Sequence, residues 1–352
     1  MSSVNFSLLV VLIVAFFTSY RKNDFYVTAN MDDKYMTFGP VGEPPQLKRL
    51  SKDTNKALQE TCGIGQQSPM TEERIAGGKE ALRGQFPWAV SLASPGGSNK
   101  CTGVLISEWH VLTAIHCFYD YVNHSVPCVG PKFDPTSIAK SEYVIHYGGV
   151  CIRMDSNTGC ELRDTQTVAM KKVVVGKEFT ESKCRSGNDV AIVELERSIP
   201  LNGDVQAICL LNVSSYEIGL AGSHPSFSKV KNFIDMGWGR DEKKRSSARL
   251  HYLEATPRVV RDNMLLSTGW KRGLDPGIRR GICIGDSGGP TQATGPGGKA
   301  YLMGIHSSGP PCTEAAPDIY GSYYSTFIPP MLEDICALTG VCPPGVPRKG
   351  KK

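Results

Sequence analysis

The chain has 352 residues, of which 40% are hydrophobic and 21% charged, with a formal net charge of +5, 37 Gly, 23 Pro and 12 Cys. These values exclude whole-chain disorder, a fibrous repeat and a coiled coil. Without a concentrated basic patch, so mild a charge does not point to a nucleic-acid partner. The length leaves room for one large domain or two, and the even number of cysteines permits full disulfide pairing in an oxidising compartment.

In chain order, the first feature is an apolar run, unbroken from Val10 to Phe17 and reaching back through Leu9 and Leu8 to Phe6. A membrane span needs about 20 residues, so this shorter run fits a signal peptide over residues 1–20, with Arg21 and Lys22 leaving an uncleaved anchor as the alternative. The leader implies an extracellular, secreted product with no stable membrane association. Residues 21–74 are polar, contain Pro40, Pro44 and Pro45, and show little apolar periodicity, which predicts an extended propeptide. Residues 75–342 alternate short β-rich runs with turn signals, among them Trp88–Leu92, Gly103–Ile106, Lys172–Val175 and Val190–Leu195. Helical periodicity emerges only at Phe327, Leu332, Ile335 and Leu338, predicting one C-terminal helix on an all-β barrel or sandwich. Residues 343–352 are rich in Pro and Gly, close on basic residues, and predict a flexible basic tail. Asn123-His124-Ser125 and Asn212-Val213-Ser214 are glycosylation sequons, and Asp241–Arg245 reads as a solvated loop open to nicking.

Three segments carry chemistry. Gly285-Asp286-Ser287-Gly288-Gly289-Pro290 sets a serine in a glycine-rich turn, where backbone N–H groups can approach a ligand closely. Thr113-Ala114-Ile115-His116-Cys117 follows an apolar strand, and Asn188-Asp189 opens another. A serine hydroxyl is a weak nucleophile that needs an adjacent base, and the base needs an orienting acid. Each segment alone is ambiguous: a histidine beside a cysteine is usually a packing residue, and an aspartate opening a strand is usually a turn residue. Their order, His then Asp then Ser, changes the odds.

With these motifs the chain resembles the chymotrypsin/trypsin-like serine proteases from Ile75 to about Leu338. Further matches are Arg74-Ile75-Ala76-Gly77-Gly78, which resembles the family's activation junction, and Gly237-Trp238-Gly239. The resemblance implies two six-stranded antiparallel β-barrels with the active site between them. It implies Ser287 as nucleophile, His116 as general base, Asp189 as the acid that orients it, and the N–H groups of Gly285 and Ser287 as oxyanion hole. Ser307 matches the serine that backs the acid. Cleavage after Arg74 would free the amine of Ile75 to pair with buried Asp286, so the product is expected to be a zymogen. The implied partners are protein or peptide substrates, an activating protease and protein inhibitors of proteases.

Specificity departs from the trypsin pattern. Gly281 stands at the pocket floor where an aspartate would select Lys or Arg, while Asp318 falls on the pocket wall where glycine is common. Basic and apolar preferences at the cleaved residue both stay open. Ser307-Ser308-Gly309 replaces Ser-Trp-Gly, which leaves the adjoining subsites wider and less apolar, although the backbone can still pair with an extended substrate.

For the cysteines, the resemblance implies Cys101–Cys117, Cys283–Cys312 and a propeptide tether Cys62–Cys209. Short separations suggest Cys151–Cys160 and Cys336–Cys342, leaving Cys128–Cys184, but spacing does not fix connectivity. No C-x-x-C pair with ligand spacing occurs, so neither a metal nor a cofactor is expected. Two other classes are weighed. One is a catalytically silent homologue acting as a binding or regulatory module, against which the intact triad argues. The other is an esterase with Gly-x-Ser-x-Gly, which the order His, Asp, Ser contradicts.

Overall fold

A computed structural model describes residues 25–30, 34–40, 42–66, 78–118, 143–181, 187–220, 228–240, 245–268, 281–309 and 322–348. Its framework follows from short β-branched runs. Val173, Val174 and Val175 lie opposite Val193, Ile192 and Ala191, and Ile192 in turn faces Leu112, so apolar residues stack across three neighbouring strands. Such runs are buried on both faces, which is why they read as continuous apolar stretches rather than alternating ones.

The N-terminal strands are β1 (Phe25–Asn30) and β2 (Tyr35–Pro40), followed by helix α1 (Lys52–Thr61). Next come β3 (Lys79–Glu80), β4 (Ala89–Ala93), β5 (Asn99–Ser107) and β6 (His110–Thr113). They are followed by β7 (Val144–Tyr147), β8 (Gln166–Val168), β9 (Met170–Gly176), helix α2 (Lys177–Glu181) and β10 (Ala191–Leu195). The second half holds β11 (Cys209–Leu210), β12 (Lys231–Gly237), β13 (His251–Glu254), β14 (Thr256–Arg261) and β15 (Met264–Thr268). It ends with β16 (Pro290–Thr294), β17 (Ala300–Ser308), β18 (Ser322–Phe327) and helix α3 (Leu332–Thr339).

These strands form two curled sheets with antiparallel pairing throughout, apart from a short parallel contact between β11 and β17. The first runs β1-β2-β9-β10-β6-β5-β4-β7-β8 and the second β14-β15-β18-β17-β16-β12-β13-β3. Each sheet has nine strands among the described residues, more than the six expected, because β1 and β2 extend the first and short or peripheral strands extend both. The fold is all-β with a C-terminal helix. That helix begins at Leu332, and Phe327 belongs to β18 instead.

Two segments, expected to be an extended propeptide (21–74) and a flexible tail (343–352), are packed against the protein where the structure describes them. Residues 34–40 and 42–66 are built into the protein: β2 pairs with β9 from Tyr35↔Gly176 to Phe38↔Val173, and Phe38, Leu47, Leu50 and Leu58 are each 6% exposed or less. Four apolar residues spread this thinly give no periodic signal, yet each finds a buried seat. Ser51 caps α1, its Oγ accepting the Thr54 N–H at 3.0 Å. At the other end, residues 343–348 fold back, with an Arg348 guanidinium N–H donating to the Leu50 carbonyl. The Leu50 N–H donates to Thr339 O at 2.8 Å, so Leu50 and Arg348 meet at the end of α3.

Candidate active site

Strand pairing positions the acid and the base. Ala191 of β10 lies opposite Thr113 of β6. Asp189, two residues before Ala191, and His116, three after Thr113 on a 3-10 turn, therefore leave the same end of the first sheet. The Asp189 side chain is 1% exposed and accepts three hydrogen bonds. Oδ1 accepts the His116 backbone N–H at 3.0 Å, while Oδ2 accepts His116 Nδ1–H at 2.6 Å and Ser307 Oγ–H at 2.7 Å. A ring nitrogen facing a carboxylate this closely must be a donor, so in the neutral imidazole Nε2 carries the lone pair. This is the protonation state in which a histidine can take a proton.

The serine turn is tied to both sheets. The Ser287 carbonyl accepts the Thr102 N–H at 2.8 Å, and Cys117 Sγ lies 3.8 Å from that same oxygen, which sets Ser287 beside the residue following His116. The Gly285 carbonyl accepts from Thr102 Oγ1 at 2.9 Å and Asn99 Nδ2 at 3.1 Å. Gly288 has φ +79°, and a Cβ there would fall 2.1 Å from Thr113 Oγ1 and 2.4 Å from the Thr102 carbonyl oxygen. Only glycine permits the turn to close on the strand leading to His116.

Asp286 turns inward. Its carboxylate accepts the Gly239 N–H at 2.7 Å and the Cys283 N–H at 2.8 Å, and burial pushes its carboxyl above the usual range. A Cβ at Gly237 or Gly239 would lie 2.2 Å and 2.3 Å from those carboxylate oxygens. The Gly-Trp-Gly motif is thus the cradle of this buried acid, while the indole between the glycines donates to the Val150 carbonyl at 2.8 Å.

Other predicted positions fall in two groups. Gly281 is half-buried, and Ser308, Gly309 and the sequon residue Asn212 are exposed. Disulfides join Cys62–Cys209, Cys101–Cys117, Cys151–Cys160 and Cys336–Cys342, and Cys283 is also disulfide-bonded. Cys101, His116 and Cys117 are close enough to suggest a metal cluster, but oxidation of both sulfurs removes two thiolate ligands. Arg74, Ile75, Asn123, Cys128, Cys184, Cys312 and Asp318 lie outside the described residues.

The structure adds residues that sequence reasoning passed over. Thr102 bonds Gly285 and Ser287 across the gap between sheets, and Ile284, 63% exposed, forms an apolar lip beside the turn. His306 is fully buried behind the turn. A histidine directly after the apolar run Leu302–Ile305 was the available signal.

Two antiparallel half-barrels with a carboxylate-anchored histidine beside a Gly-Asp-Ser-Gly turn define a class, the chymotrypsin-like fold. The trypsin family model matches residues 75–328, and the chain belongs to that family. It is 27% identical over 288 residues to phenoloxidase-activating factor 3 of Holotrichia diomphalia, covering 76% of this chain and 73% of that protein. It is 28% identical over 266 residues to CLIP domain-containing serine protease B15 of Anopheles gambiae, covering 71% and 65%. With serine proteinase stubble of Drosophila melanogaster it shares 28% identity over 298 residues, covering 80% of this chain but only 33% of that protein.

Proposed function

We propose that the protein is a secreted serine endopeptidase made as a zymogen and activated by cleavage after Arg74. The observation that carries this reading is the Asp189 carboxylate, buried and bonded at once by the His116 backbone, the His116 ring and Ser307. Three donors hold the carboxylate in place and the carboxylate fixes the ring, so that Nε2 carries the lone pair a base needs.

In the proposed reaction His116 Nε2 takes the Ser287 Oγ proton as Oγ attacks the scissile carbonyl. The N–H groups of Gly285 and Ser287 stabilise the developing oxyanion. His116 then returns the proton to the leaving amine, and water resolves the acyl-enzyme by the same steps in reverse. Asp189 stays ionised and stabilises the imidazolium. Before cleavage, the Asp286 carboxylate accepts the backbone N–H groups of Gly239 and Cys283 and carries a desolvation cost. The Ile75 ammonium released by cleavage would neutralise it and order the adjoining pocket. Protein substrates, an upstream protease and protein inhibitors are the partners this implies. Gly281 and Asp318 are the candidate determinants of specificity, and Asn123 and Asn212 the candidate glycosylation sites.

A fluorophosphonate probe tests the reading, since it reacts only with an activated serine. The protein cleaved after Arg74 should label rapidly, and Ser287→Ala and the uncut Arg74→Gln form should not. Labelling that persists in Ser287→Ala, or a cleaved parent that never labels, would leave the silent-homologue reading in its place.

A further inference from the structure

His306 sits at the end of β17, fully buried, between a carboxylate and a carbonyl. Its Nε2 is 3.0 Å from Asp235 Oδ1 on β12, and its Nδ1 is 3.1 Å from the backbone carbonyl oxygen of Asp286. Asp235 Oδ2 also accepts the Tyr323 hydroxyl from β18, and the Tyr323 ring meets the His306 ring edge to face. Asp235 and Tyr323 are each 1% exposed. A carbonyl oxygen only accepts, so Nδ1 must donate, and a carboxylate that already takes a hydroxyl proton calls for a donor at Nε2 as well. Both ring nitrogens therefore carry protons, and the ring is an imidazolium paired with Asp235. The Asp235 and Asp286 charges hold this proton above the usual histidine range against the opposing effect of burial.

The same residue grips the serine turn through its backbone. The Gly288 N–H donates to the His306 carbonyl at 2.8 Å, and the His306 N–H donates to the Gly289 carbonyl at 2.8 Å. With Nδ1 on the Asp286 carbonyl, His306 bonds residues on both sides of Ser287. The next residue in the chain, Ser307, bonds Asp189. One short stretch of β17 thus sets the turn that holds the nucleophile and the acid behind the base.

We propose that His306 is a positioning residue whose charged ring, held by Asp235 and Tyr323, fixes the Asp286–Ser287 turn. Loss of its proton has a definite consequence. Of the two tautomers, the one keeping Nε2–H toward the Asp235 anion is favoured, because the other sets a lone pair against a full negative charge. Nδ1 then presents a lone pair to the Asp286 carbonyl, and the contact turns repulsive. Among the described residues, the charged or titratable groups facing the ring are Asp235 from β12, Tyr323 from β18 and Asp286 from the turn.

The activity arm of the test rests on Ser287 being the nucleophile; the spectroscopic arm does not. In the full-length protein with nitrogen-15-labelled histidine, NMR should show both His306 nitrogens protonated at pH 7, cleaved or uncut, whether or not the protein turns over substrate. A neutral ring there, or a bare Nδ1, overturns the proposal. In the activated protein, His306→Leu should lower kcat about 10–100-fold with KM within about threefold. It should also abolish a fall in kcat at alkaline pH that the parent shows. Asp235→Asn leaves a neutral ring whose Nδ1–H can still reach Asp286, so it should lower kcat less than His306→Leu and also lose that alkaline fall. A His306→Leu enzyme within twofold of the parent kcat, or one keeping the same alkaline limb, overturns the positioning role. If His306→Leu does not fold, the ring protonation state in the parent and in Asp235→Asn decides the question.

Discussion

Asp189→Asn is the substitution whose outcome the geometry determines most closely. The two side chains have the same shape, but the amide has one acceptor where the carboxylate has two. The His116 backbone N–H, 3.0 Å away, cannot rotate, so the amide oxygen must face it. The NH2 group then points at His116 Nδ1 and Ser307 Oγ, which stood 2.6 and 2.7 Å from the carboxylate. Ser307 can turn its hydroxyl to accept, but Nδ1 must give up its proton, and the ring adopts the tautomer with Nε2–H. That nitrogen can no longer take the Ser287 proton. When the ring takes a proton in the transition state its Nδ1–H faces the amide NH2, so the two charge-assisted hydrogen bonds of the carboxylate are lost, at about 1.5–3 kcal/mol each. At about 1.4 kcal/mol per decade, their sum of roughly 3–6 kcal/mol corresponds to a kcat loss of about 10²–10⁴-fold. KM on a peptide amide should stay within about threefold, because the substrate contacts are untouched. Steady-state kinetics on active-site-titrated enzyme, with a melting curve to confirm folding, measures both. A folded Asp189→Asn enzyme with kcat within about fivefold of the parent would refute the tautomer argument.

Further tests concern the scaffold. Replacing Cys62 and Cys209 by serine opens a loop of 147 residues, a loss of about 5 kcal/mol on the chain-entropy account. Differential scanning calorimetry of the uncut protein should show a Tm lower by about 10 °C, and a shift under about 3 °C would show that this link is not the main tether. Gly288→Ala, forcing a Cβ against Thr113, Thr102 and Ala114 at φ +79°, should cost about 4 kcal/mol or more or prevent folding. Gly297→Ala is the control: its φ is +70° but nothing lies within 4 Å, so about 1–2 kcal/mol is expected in urea unfolding. Burial and the nearby Lys48 charge hold His110 down to about 3. Below pH 6.5 the unfolded chain takes up a proton that the folded chain refuses, so stability falls as pH drops from about 6.5 toward 3. His110→Asn should remove up to about 1.4 kcal/mol per pH unit from that slope in urea titrations, and an unchanged slope would count against it.

The parts of this protein that were legible in its sequence are those with local signatures. The valine runs of β9 and β10 announce strands because burial on both faces leaves no polar alternation to obscure them. The Gly285–Gly289 turn is legible because its glycines answer to contacts that exclude a Cβ. The link between Asp189 and His116 has no such signature: 73 residues separate them, and only the pairing of β10 with β6 brings them together. His306, Asp235 and Tyr323 are harder still, since each sits alone in its own strand and is explained only by the other two. Residues 34–40 and 42–66 escaped notice for the opposite reason. Their apolar residues are buried against elements distant in sequence and not against one another, so no period arises.

That dependence bears on what cleavage after Arg74 would do. Lys172 of β9 and Glu194 of β10 are buried neighbours, 3.7 Å apart, and water cannot satisfy them from outside. The groups that complete them come from the N-terminal segment. The Gln46 carbonyl accepts from Lys172 Nζ at 3.0 Å, the Lys48 N–H donates to Glu194 Oε2 at 2.5 Å, and Glu43 lies 3.7 Å from the same ammonium. Departure of the segment would strip the bonds from a buried pair and expose the seats of Phe38, Leu47, Leu50 and Leu58 to water, at about 1.5–3 kcal/mol for each side chain. It would also uncover the edge of β9, a row of unpaired backbone groups open to association with other chains. The Cys62–Cys209 bond, β2 and α1 all hold against that outcome from one side of Arg74, while Asp286 and the Ser287 turn lie on the other. The segment is therefore a structural part of the folded protein, and a cut at Arg74 would free the new amine at Ile75 without loosening the fold it leaves behind.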